Sequence, residues 1–178
     1  SAIQNNDKIG VIFFSDRIEK FIPPKKGRKH ILYIIRELLD FKPESTRTNV
    51  QCAIEYLTNV LKKRCTAFML SDFIDERDFQ NALTIANRKH DVGALQVYDR
   101  RLEELPDVGL MKVKDAETGH EQWIDTSSKA LRNAHHEWWK ARQQKLHDIF
   151  THSNVDSVSV RTDQDYVKAL LNLFAKRN

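Results

Sequence analysis

Cysteine and glycine are scarce in this 178-residue chain, and each scarcity excludes something. With 2 cysteines there is no disulfide framework, so the fold must rest on a hydrophobic core. Cys52 falls in a helical pattern and Cys65 opens a strand pattern, which suits reduced, half-buried small hydrophobes. The 5 glycines form neither a phosphate-binding loop nor a dinucleotide fingerprint. No run of about 18 apolar residues occurs, so no membrane span is expected. Residues 1–10 show neither a basic start nor a small-residue cleavage pattern, so they read as no secretory signal. A cytoplasmic protein is expected. The 7 histidines include no His-Glu-x-x-His, and no nucleophile stands beside a base at a recognisable spacing. A non-enzyme is therefore expected.

What is present is ordinary for a globular protein: 40% hydrophobic and 30% charged residues, enough for a single domain over 1–178. The net charge of +4 is modest, because 25 acidic residues oppose 29 basic ones. Only Lys25-Lys26-Gly27-Arg28-Lys29-His30 concentrates it, so nucleic acid is not the expected partner.

The elements follow from periodicity. Lys8 to Phe14 is a nearly continuous apolar run, as in a strand covered on both faces. Ile18 to Ile22 alternates apolar with charged residues, and Pro23-Pro24 is expected to end that edge strand. Helical spacing predicts a helix over 27–41 with Ile31, Ile34, Ile35, Leu38 and Leu39 on its apolar face. A second helix is expected over 48–64, with Thr48 and Gln51 as a capping box, then a buried strand at Ala67 to Leu70. A helix over 75–89, capped at Asp75, leads to a third buried strand at Val92 to Tyr98. Gly109 to Thr126 reads as a β-hairpin turning at Asp115 to Gly119. A long helix over 127–150 carries Trp138 and Trp139, whose ordinary role is packing. Val155 to Val160 alternates as an outer strand, and a last helix capped by Thr162 and Asp165 presents Val167, Leu170, Leu171 and Phe174. Strands alternating with helices argue for a mostly parallel sheet covered on both faces.

Asn6-Asp7-Lys8-Ile9-Gly10-Val11-Ile12-Phe13-Phe14-Ser15-Asp16 resembles the second strand of von Willebrand factor A domains. Ile22-Pro23-Pro24-Lys25-Lys26-Gly27, Thr46-Arg47-Thr48-Asn49-Val50 and Met69-Leu70-Ser71-Asp72-Phe73 follow in that family's order. Leu105 to Gly109 and Asp115 to Gly119 resemble a bacterial branch labelled domain of unknown function fifty-eight. The resemblance implies a Rossmann-like three-layer α/β/α sandwich with an inserted β-hairpin. It also implies that the chain is N-terminally incomplete, beginning after the strand that carries Asp-x-Ser-x-Ser. The two strands flanking that place are expected to close onto each other or to recruit backbone from a second copy, as a homo-oligomer.

The function implied by the resemblance is a protein-interaction module with a metal-ion-dependent adhesion site, partnered by a MoxR-type AAA ATPase. Thr48 and Asp72 match two of the family's magnesium ligands, and two ligands are expected to hold magnesium weakly or not at all in this chain. Asp16, Ser71, Asp72 and Arg100 sit at strand ends, where open parallel sheets bind their ligands. Asp72 equally suits a turn that bonds its own amides. The acidic group Asp72, Asp75, Glu76 and Asp78 suggests a magnesium-dependent hydrolase, or simply carboxylates favouring a helix N-terminus. Lys25, Lys26, Arg28 and Lys29 beside a helix start suggest an anion site, or a solvated charge run.

Overall fold

The computed structural model describes residues 7–175; Asn6, the first residue of the strand resemblance, lies outside them. The chain is mixed α/β, and its strands form three separate sheets. Strands β1 (Ile9–Phe14) and β2 (Ile18–Lys25) pair antiparallel. Strands β3 (Thr66–Ser71), β4 (Asp91–Tyr98) and β7 (Asp156–Arg161) form a parallel sheet in the order β3-β4-β7. Strands β5 (Leu110–Lys114) and β6 (Glu121–Asp125) pair antiparallel around residues 115–120. The helices are α1 (Arg28–Asp40), α2 (Val50–Val60), α3 (Gln80–Lys89), the one-turn α4 (Arg100–Glu103), α5 (Lys129–His152) and α6 (Tyr166–Ala175).

The parallel sheet carries the main core on one face. Val92 and Ala94 of β4 meet Val50 and Ile54 of α2, Leu83 and Ala86 of α3, and Leu146, Ile149 and Phe150 of α5. Each of the larger side chains among them contributes about 1.5–3 kcal/mol on full burial. A smaller core joins Phe13, Ile22 and Ile34, with Phe41 stacked on Phe13 at 4.7 Å.

Several boundaries differ from the sequence reading, each for a local reason. β2 runs through Pro23 and Pro24 to Lys25 instead of ending at them. The register slips between Ile9 and Val11, and Gly10 leaves room there: a Cβ on it would meet the Ile22 carbonyl at 2.8 Å and Pro24 Cδ at 2.9 Å. α2 starts at Val50, not Thr48, because the Asn49 side chain accepts the Cys52 amide at 3.0 Å. Residues 72–78 are loop, so Asp75 caps no helix of its own, while Asp78 bonds the Gln80 amide at the start of α3. On α6 the buried residue is Leu173, while Val167, Leu171 and Phe174 stay exposed, and it is Asp165 that bonds the Val167 amide. On α1 only Ile34 is buried; Ile35, Leu38 and Leu39 are exposed.

Among the described residues β1 and β3 do not close onto each other: β1 pairs with β2 alone, and β3 with β4 alone. The position of β1 is set by α2 instead. Phe14 packs against the core that α2 helps to build, and the Asn49 amide donates to the Ser15 carbonyl at 2.9 Å.

Candidate functional site

The C-terminal end of β1 and the loop after β3 are gathered at the N-terminus of α2. Asn49 N–H holds the end of β1 through Ser15, and the next amide, Val50 N–H, donates to Asp75 Oδ2 at 2.9 Å. Two successive amides of one helix start thus fix the β1 end and the 72–78 loop. Arg77 adds a third tie, donating to the Thr48 carbonyl at 2.8 Å.

The loop itself is tightly wound. Phe73 has φ 55, a left-handed conformation that costs a bulky residue energy, and its ring is buried against Phe79 and Phe150. Ser71 Oγ accepts the Phe73 amide at 3.0 Å, and Asp72 Oδ1 accepts the Ile74 amide at 3.0 Å. Arg142 of α5 donates to the carbonyls of Phe73 and Asp75, at 3.2 and 3.3 Å. From the sheet, Gln96 Nε2 donates to the Asp72 carbonyl at 3.2 Å. The backbone around Asp72 is held from three sides, and the residue as a whole is partly buried.

Ser15, Thr48, Ser71 and Asp72 therefore lie on one edge, and Asp16 follows Ser15 there. The Asp16 carboxyl is held below its ordinary range, first by the Ser45 hydroxyl. Arg100 opens α4 just beyond β4 and pairs with Glu104 at 3.1 Å. The basic turn is elsewhere. Lys25 pairs with Ile9, so Lys25, Lys26, Arg28 and Lys29 stand a full length of β1 away from Ser15.

The acidic group does not converge. Asp72 bonds Ile74, Asp78 bonds Gln80, and Asp75 bonds Val50 and Arg77. Among the described residues no group of three or more histidine, cysteine or carboxylate side chains could hold a metal ion. Thr48 and Asp72 alone do not make a magnesium cage, and one Asp72 oxygen already serves an amide.

Two residues that matter here, Glu19 and Gln96, were passed over by the sequence reading, and a third, Asp75, has a different role from the helix cap expected of it. Asp75 is 2% exposed at its side chain and bolts the loop to α2. Glu19, 4% exposed, accepts the Ser15 hydroxyl at 2.6 Å and the Ser45 amide at 3.2 Å, which holds its carboxyl below the ordinary range. Gln96 joins Asp72 to β7, accepting from Ser159 Oγ at 2.8 Å. A glutamine in an otherwise apolar strand run was the one available signal.

The fold has solved counterparts. It resembles a conserved hypothetical protein, BatB, from Bacteroides thetaiotaomicron, with TM-score 0.58 and 17% identity over 96% of this chain and 79% of that one. An aerotolerance-related membrane protein from Bacteroides fragilis is similar at TM-score 0.57 and 16% identity, over 96% of this chain and 80% of that one. In this chain, no helix among the described residues is long and apolar enough to cross a membrane. In sequence, uncharacterized protein Rv1480 of Mycobacterium tuberculosis is 27% identical over 96% of this chain and 54% of its own length. Uncharacterized protein MAV169 of Mycobacterium avium is 27% identical over 88% of this chain and 93% of its own. The chain spans about half the length of the first relatives it matches (54% of Rv1480). Residues 1–145 match the family profile described as protein of unknown function DUF58, and the chain belongs to that family.

Proposed function

We propose that this chain is the greater part of a von Willebrand factor A-like domain, a three-layer sandwich, working in the cytoplasm as a non-catalytic protein-interaction module. The observation that carries the reading is the edge just described. Ser15 and Asp72 stand at strand ends and Thr48 just before the helix start between them, on a backbone held by Asp75, Gln96 and Arg142. Open α/β sheets bind ligands outside the carboxyl ends of their parallel strands. A rigid edge that ends in a carboxylate residue suits a partner surface better than a reaction, for which a nucleophile and base would be needed.

In the whole protein, on the family resemblance, magnesium at this edge would bridge to an acidic side chain of a MoxR-type AAA ATPase. Thr48 and Asp72 would be two of its ligands; the rest must come from elsewhere, since the described residues do not complete the set. The contribution of this chain's own groups is position: the turn at Ser71 and Asp72 is held still, so little ordering entropy is lost on docking.

The test is a pull-down of the ATPase by the full-length protein, with and without chelator. Asp72→Ala is expected to abolish capture, and chelator to do the same, while the double variant Lys25→Ala, Lys26→Ala captures normally. Normal capture by Asp72→Ala with loss in the basic-turn variant would move the function to the anion site.

A further inference from the structure

The sheet face beneath α5 changes character along its length. Val92 and Ala94 of β4 are buried in the core, but the next residues on that face, Gln96 and Tyr98, are polar. Their β4–β7 neighbours are polar too: Ser157 stands beside Ala94, and Ser159 beside Gln96. On α5, His136, Trp139, Lys140, Gln143 and His147 recur at three- and four-residue spacing and face this polar stretch. Between the two walls lies an open cleft of about 790 Å³. Small-molecule sites range over about 300–1,000 Å³.

The chemistry of the cleft is neutral. Its charged residues are paired with one another or with a neighbour: Lys140 with Glu137 at 3.1 Å, and Glu103 with Arg161 at 3.6 Å. What remains is amide, hydroxyl and imidazole. Gln96 and Ser159 are oriented by their mutual hydrogen bond at 2.8 Å. The Gln143 amide nitrogen is buried and has no protein partner among the described residues. Tyr98 and Trp139, with ring centroids 5.0 Å apart, supply an apolar wall. Burial pushes the Tyr98 phenol up, so it stays protonated and able to donate.

An apolar ligand would leave these groups unpaired, and an ion would find its counter-charges taken. We propose that the cleft binds a neutral, hydroxyl-rich ligand of the saccharide class. Gln143, Ser157 and Ser159 hydrogen-bond its hydroxyls, and the Tyr98 ring lies against its C–H face. Neutral planar amides and hydroxyls match vicinal hydroxyl pairs without demanding charge. The cleft adjoins the Asp72 edge through Gln96, but its ligand does not depend on the interaction reading above.

Amide NMR titration of the whole chain tests it, with maltose as a free small sugar and maltohexaose as a chain segment. Shifts confined to β4, β7 and residues 136–147 of α5 are expected, with Kd in about the millimolar range. Binding of maltohexaose alone supports a polysaccharide source, and equal binding of both supports free sugars. Gln143→Leu, which removes an unpaired buried amide and so keeps the fold, should weaken binding about tenfold, with Ser159→Ala as the second variant. Absence of shifts in these segments with either sugar overturns the proposal. So does full-strength binding in both variants.

Discussion

Asp75 offers the sharpest separation of structural from functional carboxylates. Its side chain is almost wholly buried, with Oδ2 accepting the Val50 amide at 2.9 Å and Oδ1 the Arg77 amide at 3.0 Å. Asp75→Ala removes the acceptor for a helix-start amide, a loss of about 0.5–2 kcal/mol. It also removes a second charge-assisted bond of about 1.5–3 kcal/mol. Burial prevents easy rehydration of the orphaned donors, so about 3 kcal/mol is the expected total. At about 2–4 °C per kcal/mol for a domain of this size, Tm falls by about 6–12 °C. Asp75→Asn keeps one acceptor oxygen and should lose about half as much. Asp72 bonds a single turn amide, so Asp72→Ala should cost about 1 kcal/mol or less. Urea melts followed by far-UV circular dichroism compare the variants directly. If Asp75→Ala and Asp72→Ala melt within about 0.5 kcal/mol of each other, the division between bolt and site is wrong.

Gly10→Ala should destabilise the protein by about 1–3 kcal/mol, since its Cβ would strike the Ile22 carbonyl and Pro24 across the β1–β2 slip. A thermal melt unchanged from the parent would refute the close approach. His90 is fully buried, with Nδ1 3.5 Å from Cys65 Sγ, and burial holds its pKa below the ordinary imidazole value. The unfolded chain then binds the extra proton first, so stability is fully present above the unfolded value near 6.5 and falls as pH drops below it. Urea midpoints measured from about pH 7 to about pH 5 should decline in the parent and flatten in His90→Phe; equal slopes would contradict this.

The regular elements were legible because each carries a period. The apolar run before Phe14, the alternation in β7 and the helical spacing of α2 all predict their elements to within a few residues. What failed was local competition. Thr48 and Gln51 spell a capping box, yet Asn49 does the capping, because the helix start is fixed by Asp75 from 25 residues away. The prolines looked like a stop for β2. An antiparallel strand with one edge open needs no donor there, so it ran on through them to Lys25. Pairing across sheets has no signature in sequence at all, and the separation of β1 from β3 became visible only in the strand order.

The site divides the same way. Residues at strand ends could be named in advance, because an apolar run closed by Ser-Asp fixes where the strand stops and which edge it reaches. The residues that hold the edge still could not. Glu19 falls in an alternating segment where charge reads as outward, yet its carboxylate turns in to meet the Ser15 hydroxyl. Asp75 reads as a helix-start carboxylate; only the left-handed turn at Phe73 carries it across to α2. Both are long-range bonds made by ordinary acidic residues, and a carboxylate's type says nothing about its partner. Gln96 is the exception that sequence does expose. A neutral polar side chain within a strand otherwise buried by Val92 and Ala94 must find hydrogen bonds or lose stability. It finds them at Asp72 and Ser159, and so links the proposed partner edge to the neutral cleft through one amide. Gln96→Leu should therefore loosen the Asp72 turn, seen as faster amide exchange at Phe73 and Ile74 with the melt little changed. Unaltered exchange at those two amides would mean that the loop's rigidity comes from Asp75 and Arg142 alone.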